Sequence, residues 1–90
     1  MRFTKLKSNG TDKYCVDDNK IEDAIHKLAV FENMCDEFIR DMTSIPERLE
    51  KLRAEKKDKT VAYRELVAQK LINTNILMFF KKHHIYIDEN

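Results

Sequence analysis

Glycine and proline are almost missing from this chain, which has one of each, Gly10 and Pro46, in 90 residues. A many-turned β fold needs residues that adopt positive φ or fix φ at each reversal. A chain with only two such residues therefore favours long helices. Cysteine is scarce as well. Cys15 and Cys35 form no CxxC pair, and two thiols fall far below the density of a disulfide scaffold, so both are expected free and reduced. No apolar run approaches the roughly 18 to 20 residues that span a bilayer, and Met1-Arg2-Phe3-Thr4-Lys5 opens no signal-peptide core. A cytoplasmic chain without a membrane segment is expected. Charge of one sign is not in excess either: 17 Lys and Arg stand against 16 Asp and Glu. A phosphate-binding domain usually carries a stronger basic surplus.

What is present is 42% hydrophobic and 37% charged residues, too apolar for a disordered polyelectrolyte and too charged for a membrane protein. The expectation is one small domain over residues 1–90, with on the order of 5 to 10 kcal/mol of net stability and room for one core, for which self-association is a natural supplement. The charges are unevenly spread: residues 1–16 are basic, 17–37 acidic and 47–90 basic again. Such blocks can set register between neighbouring elements or subunits.

Two short β-prone runs, Phe3-Thr4-Lys5-Leu6-Lys7 and Lys13-Tyr14-Cys15-Val16, flank Asn9-Gly10, whose residues tolerate the positive φ of a tight turn. A β-hairpin over 1–16 follows, and it needs an apolar surface to lie on. Asn19 with Glu22 three residues later reads as a capping box, opening a helix over 19–42. Ile21, Ile25, Leu28, Cys35, Ile39 and Met42 form its apolar stripe, flanked by Ala24, Phe31 and Phe38. Ser44 with Glu47, and Pro46 in what would be a first turn, read as a second start and a chain reversal, giving a helix over 45–56 with Ile45, Leu49 and Leu52 on one edge. The run 55–60 has no apolar residue, and Asp58 or Thr60 can cap, so a tight connection and a third helix over 60–83 are expected. The alternative is one unbroken helix from Ile45 onward. The tail Ile85-Tyr86-Ile87-Asp88 is β-prone and either adds a strand to the hairpin or frays.

The helix over 60–83 is apolar nearly all round. Val61, Ala68, Ile72, Ile76 and Phe79 share one side, Val67, Leu71 and Met78 a second, and Leu66, Leu77 and Phe80 a third. Such a helix either forms the centre of a bundle or is covered by a second subunit. Asn73, Thr74 and Asn75 interrupt it. Amides at a helix seam can fix register or partner number, and the plainer reading is a less buried arc.

No catalytic constellation is apparent. His26 and Cys35 lie nine residues apart on one helix, too far to pair, and His83 and His84 diverge with no ligand at metal spacing. Gly10 alone makes no phosphate-cradling loop. No cofactor is expected, and nothing points to an enzyme. Lys5 and Lys7 on the hairpin, and Lys56, Lys57, Lys59 and Arg64 near the second connection, are the basic positions that would serve a nucleic-acid-binding regulator. Solvated surface charge is the simpler account of them.

Residues 13–29, Lys13-Tyr14-Cys15-Val16-Asp17-Asp18-Asn19-Lys20-Ile21-Glu22-Asp23-Ala24-Ile25-His26-Lys27-Leu28-Ala29, and residues 58–71, Asp58-Lys59-Thr60-Val61-Ala62-Tyr63-Arg64-Glu65-Leu66-Val67-Ala68-Gln69-Lys70-Leu71, resemble segments of small proteins carried by phages and prophages of Gram-positive bacteria. The resemblance implies an origin, with a bacterial host cytoplasm as the setting, and assigns no residue a role.

The reading that results is a mainly α chain: an N-terminal β-hairpin followed by a small antiparallel bundle of about three helices that associates through the last one. Leu66, Leu71, Ile72, Asn75, Ile76, Phe79 and Phe80 are the candidate interaction residues. The expected partner is a second copy of the chain or another phage or host protein.

Overall fold

The computed structural model of the chain describes residues 2–7 and 13–87. The Asn9-Gly10 turn and Asp88 lie outside them. The elements are two strands, β1 (Thr4–Leu6) and β2 (Tyr14–Val16), and two helices, α1 (Ile21–Ala54) and α2 (Val61–Lys82). The architecture is mainly helical with an N-terminal antiparallel hairpin, but the described residues form two α-helices where three are expected. The chain divides into two compact units, Met1–Met34 and Cys35–Asn90.

In the first unit, Thr4 pairs with Val16, Lys5 with Cys15 and Leu6 with Tyr14. Beyond the ladder the amide of Lys7 donates to Lys13 O at 2.9 Å. Phe3 docks the hairpin on the first turns of α1: Lys27 Nζ lies 5.4 Å from the centre of its ring, and Ala24, Leu28 and Phe31 line a crevice beside it. A single 3-10 turn over Asp18–Lys20 leads into α1. Asn19 lies inside this turn, so the expected Asn19–Glu22 capping box does not form. Asp17 occupies the cap position and makes no capping bond; its Oδ1 pairs with Lys5 Nζ at 2.6 Å. That ion pair ties the end of β2 to β1. The apolar stripe expected along the first half of α1 is thinly used: Ile21, Ile25 and Leu28 are all exposed.

The second unit is a helical hairpin, and its seam explains the helix count. On α1, Cys35, Phe38, Met42, Ile45, Leu49 and Leu52 recur in alternating steps of three and four, the spacing that keeps one stripe facing a partner helix. The stripe passes Pro46 without losing phase. Ile45 and Leu49, on either side of the proline, are only 3% and 5% exposed. The Ser44 hydroxyl, read as a cap acceptor, acts instead as a donor, Oγ to Asp41 O at 3.4 Å, and beside it Thr43 Oγ1 donates to Ile39 O at 3.0 Å. Each adds a bond to a carbonyl one turn back, while the carbonyl that loses its helical donor to Pro46 is that of Met42. The reversal expected at 43–47 is therefore absent, and the segments 19–42 and 45–56 are one helix.

The true reversal is at 55–60, as the apolar-free run predicts, and this excludes the unbroken helix from Ile45 onward. The amide of Lys56 donates to Arg53 O at 3.1 Å and that of Lys57 to Leu52 O at 2.8 Å, the paired bonds of a Schellman cap, with Lys56 at φ 59°. Thr60 then caps α2, its Oγ1 accepting from the Tyr63 amide at 3.3 Å. α2 ends in the same way: His84 has φ 61°, its amide donates to Lys81 O, and that of Ile85 donates to Phe80 O, both at 2.9 Å. Both helices thus place a non-glycine residue where glycine is preferred, since the one glycine stands at position 10. Among the described residues, 85–87 form no strand.

The partner stripe on α2 is Tyr63, Leu66, Asn73, Leu77 and Phe80. The Phe38 and Phe80 rings pack at 6.3 Å, and Arg53, near the C-terminal end of α1, meets Tyr63, near the start of α2. The two helices are therefore antiparallel. No helix among the described residues is long and apolar enough to cross a membrane.

Candidate functional site

The side of α2 that packs on α1 is held by defined contacts. Arg53 donates from Nη2 and Nε to Tyr63 Oη at 2.9 and 3.3 Å and from Nη1 to Glu50 Oε2 at 2.9 Å. The hydrogen bond to Tyr63, and secondarily the charges around it, hold the guanidinium above its ordinary pKa. Asn73 is 4% exposed and lines a crevice of about 90 Å³ with Met42, Ile45 and Pro46. Its Oδ1 accepts from Gln69 Nε2 at 2.8 Å, while its Nδ2 is buried without a hydrogen-bond partner. Of the three polar residues that interrupt α2, only Asn73 is thus a seam amide. Thr74 turns its hydroxyl to Lys70 O at 2.9 Å, and Asn75 is exposed.

With this side fixed, the helical period assigns the rest. The arc opposite α1 carries Val61, Glu65, Ala68, Ile72, Asn75, Phe79 and Lys82, spaced alternately four and three residues apart, and all seven are exposed. Ile72 is 50% and Phe79 59% exposed. Leu71 and Met78 extend the apolar surface on one edge and Ile76 on the other, all three exposed. α2 therefore carries two seams, one filled by α1 and one open. Leu71, Ile72, Asn75, Ile76 and Phe79 belong to the open arc, whereas Leu66 and Phe80 are half-buried on the α1 side. Of the two settings expected for this helix, the bundle centre is not realised: once 19–42 and 45–56 are one helix, α1 alone covers α2 within this unit.

The basic positions fall in both units. Lys5 is engaged by Asp17, whose hydrogen bond and charge raise the lysine pKa and lower that of the carboxyl. Lys7 is exposed just beyond β1. Lys56, Lys57 and Lys59 lie in the inter-helix connection and Arg64 in the first turn of α2. Lys57 pairs with Glu55 at 3.4 Å, and Lys56 supplies its backbone amide to the helix cap while its side chain is exposed. A groove of about 740 Å³ beside this connection is lined by carboxylates, Glu55 and Glu65, as well as by Arg48, Lys51 and Lys57. This mixed charge does not favour a phosphate backbone.

In the first unit a groove of about 620 Å³ is lined by Arg2, Phe3, Lys20, Asp23, His26, Lys27 and Val30, a set to which the sequence gives no pointer. Among the described residues no three His, Cys, Asp or Glu side chains converge to hold a metal. Cys15 is half-buried and Cys35 buried, and neither is in a disulfide.

The signal that identifies the open seam is present in the sequence as the apolar side Val61, Ala68, Ile72, Ile76 and Phe79. Glu65 and Lys82 share that line and are missed by an apolar count. No protein-family model matches the chain, and neither a curated protein nor a solved structure is significantly similar to it.

Proposed function

We propose that this chain acts by binding protein through the open seam of α2, as an assembly or accessory component and not as a catalyst. One observation carries the reading: a helix already packed along one face presents a second line at coiled-coil spacing on which Val61, Ala68, Ile72 and Phe79 stand in solvent, with Leu71, Ile76 and Met78 exposed at its edges. Burying one large apolar side chain contributes about 1.5 to 3 kcal/mol, so Ile72 and Phe79 with Leu71, Ile76 and Met78 at the edges favour association. The resemblance of residues 13–29 and 58–71 to small phage and prophage proteins supports placing this role in a phage or prophage context.

The test is association of the full chain at micromolar concentration by sedimentation velocity, with Phe79→Lys as the variant. The wild type should form larger species that Phe79→Lys removes while the helical circular dichroism is unchanged. A wild type that stays monomeric and does not bind a hydrophobic dye, indistinguishable from Phe79→Lys, would remove the reading.

A further inference from the structure

We infer that the open seam binds a second copy of this chain, with the two α2 helices antiparallel and Glu65 of one copy opposite Lys82 of the other. The inference rests on the reading of this arc as a protein-binding surface and adds the partner, its direction and its register.

Direction follows from charge. Glu65 is the only acidic residue in α2, and Lys81 and Lys82 close its far end. On the open line the charges are therefore one carboxylate near the start and one ammonium at the end. Parallel pairing sets Glu65 against Glu65 and Lys82 against Lys82. Antiparallel pairing sets each against its opposite, twice over, because a two-fold axis repeats the contact.

Register follows from the spacing. In an antiparallel pair the residue that begins a four-residue step of the line faces one that begins a three-residue step on the partner. Glu65 opposite Lys82 satisfies this, and the same alignment places Ala68 opposite Phe79 and Ile72 opposite Asn75. The smallest apolar residue of the line then meets the largest, as interdigitating layers require. The overlap of 18 residues is about 27 Å long. A shift of one heptad in one direction sets Glu65 on Asn75 and drops Lys82 from the overlap; a shift in the other direction sets Lys82 on Ile72. Both separate the charges and bury one of them against a neutral side chain. Asn75, beside the two-fold axis, costs some stability and helps to hold the alignment. Leu71, Met78 and Ile76 keep both edges of the contact apolar.

The experiment is charge exchange in the full chain, read as the dimer dissociation constant by sedimentation equilibrium at low salt. Glu65→Lys and Lys82→Glu should each weaken the dimer about tenfold, since each substitution turns two attractions of the exposed ion-pair class into repulsions. The double variant should recover to within about threefold of the wild type, and 1 M salt should compress all four values together. If the wild type dimerises but the double variant is no tighter than the single ones, the register is wrong although the seam still binds protein. A wild type that stays monomeric while still binding a hydrophobic dye that Phe79→Lys abolishes overturns the second copy as partner and leaves the seam a binding surface for another protein.

Discussion

Two junctions in this chain invite opposite conclusions from their residues and their structures. The first, 43–47, has a serine that can cap, a glutamate three residues on and the chain's only proline, yet the helix runs straight through it. The second, 55–60, has neither glycine nor proline, yet the chain reverses there. The difference is in what each junction would bury. Across Pro46 the stripe Met42, Ile45, Leu49 and Leu52 stays in phase, so stopping the helix would forfeit the burial of Ile45 and Leu49, about 1.5 to 3 kcal/mol each. That offsets the roughly 3 kcal/mol that proline costs inside a helix. Across 55–60 the chain has six polar residues and no apolar one to bury, so propensity and capping decide. Local punctuation thus yields to a continuous seam and governs only where the seam ends.

The most direct way to break this comparison is to remove the burial that overrides the proline. Leu49→Ala should cost about 2 to 4 kcal/mol, the range for truncating a buried leucine. Leu49 follows Pro46 within one turn, so the loss should fall unevenly. Amide hydrogen exchange should show 47–54 losing protection ahead of 21–40. Uniform loss along α1 would mean that the seam does not hold the helix together across Pro46.

The converse substitution sharpens the comparison. If the seam holds α1 continuous at a cost, Pro46→Ala should stabilise by about 2 kcal/mol: the helical penalty of about 3 less roughly 1 for the added freedom of the unfolded chain. The midpoint of urea denaturation reads this directly. A loss of stability instead would mean that the packing of Ile45 and Leu49 depends on the proline ring.

The same contrast explains how much of the molecule is legible in its sequence. The hairpin, the start of α2 at Thr60 and the reversal before it all depend on local chemistry, and local chemistry suffices to place them. The continuity of α1 depends on phase over 18 residues, from Cys35 to Leu52. That phase is visible in the sequence, but capping signals at Ser44 and Glu47 compete with it, and only the packing partner shows which prevails. Asn19 misleads because the helical geometry begins earlier, with the 3-10 turn over Asp18–Lys20, so that Asn19 lies inside the turn and not at its cap. The candidate site divides in the same manner. Leu71, Ile72, Asn75, Ile76 and Phe79 are readable from periodicity, but which side of α2 is open follows only once Phe38 and Arg53 have claimed Phe80 and Tyr63.

The smallest of the three effects concerns the end of α1 itself. Lys56 holds φ 59° in a Schellman cap whose two bonds are intact, so the left-handed conformation is required by the reversal. A residue with a Cβ pays about 1 kcal/mol there that glycine does not. Lys56→Gly should therefore stabilise by about 0.5 to 1 kcal/mol, after allowing for the extra freedom that glycine gives the unfolded chain. Because the cap is made by backbone groups, the gain should survive in high salt, where any charge effect of the substitution is screened. Lys56→Ala isolates the two contributions: it removes the same charge while keeping the Cβ, and should leave stability within about 0.5 kcal/mol of the wild type. If the alanine variant gains as much as the glycine one, the benefit comes from relieving the basic cluster of Lys56, Lys57 and Lys59, and the turn at 55–60 is limited by charge and not by backbone conformation.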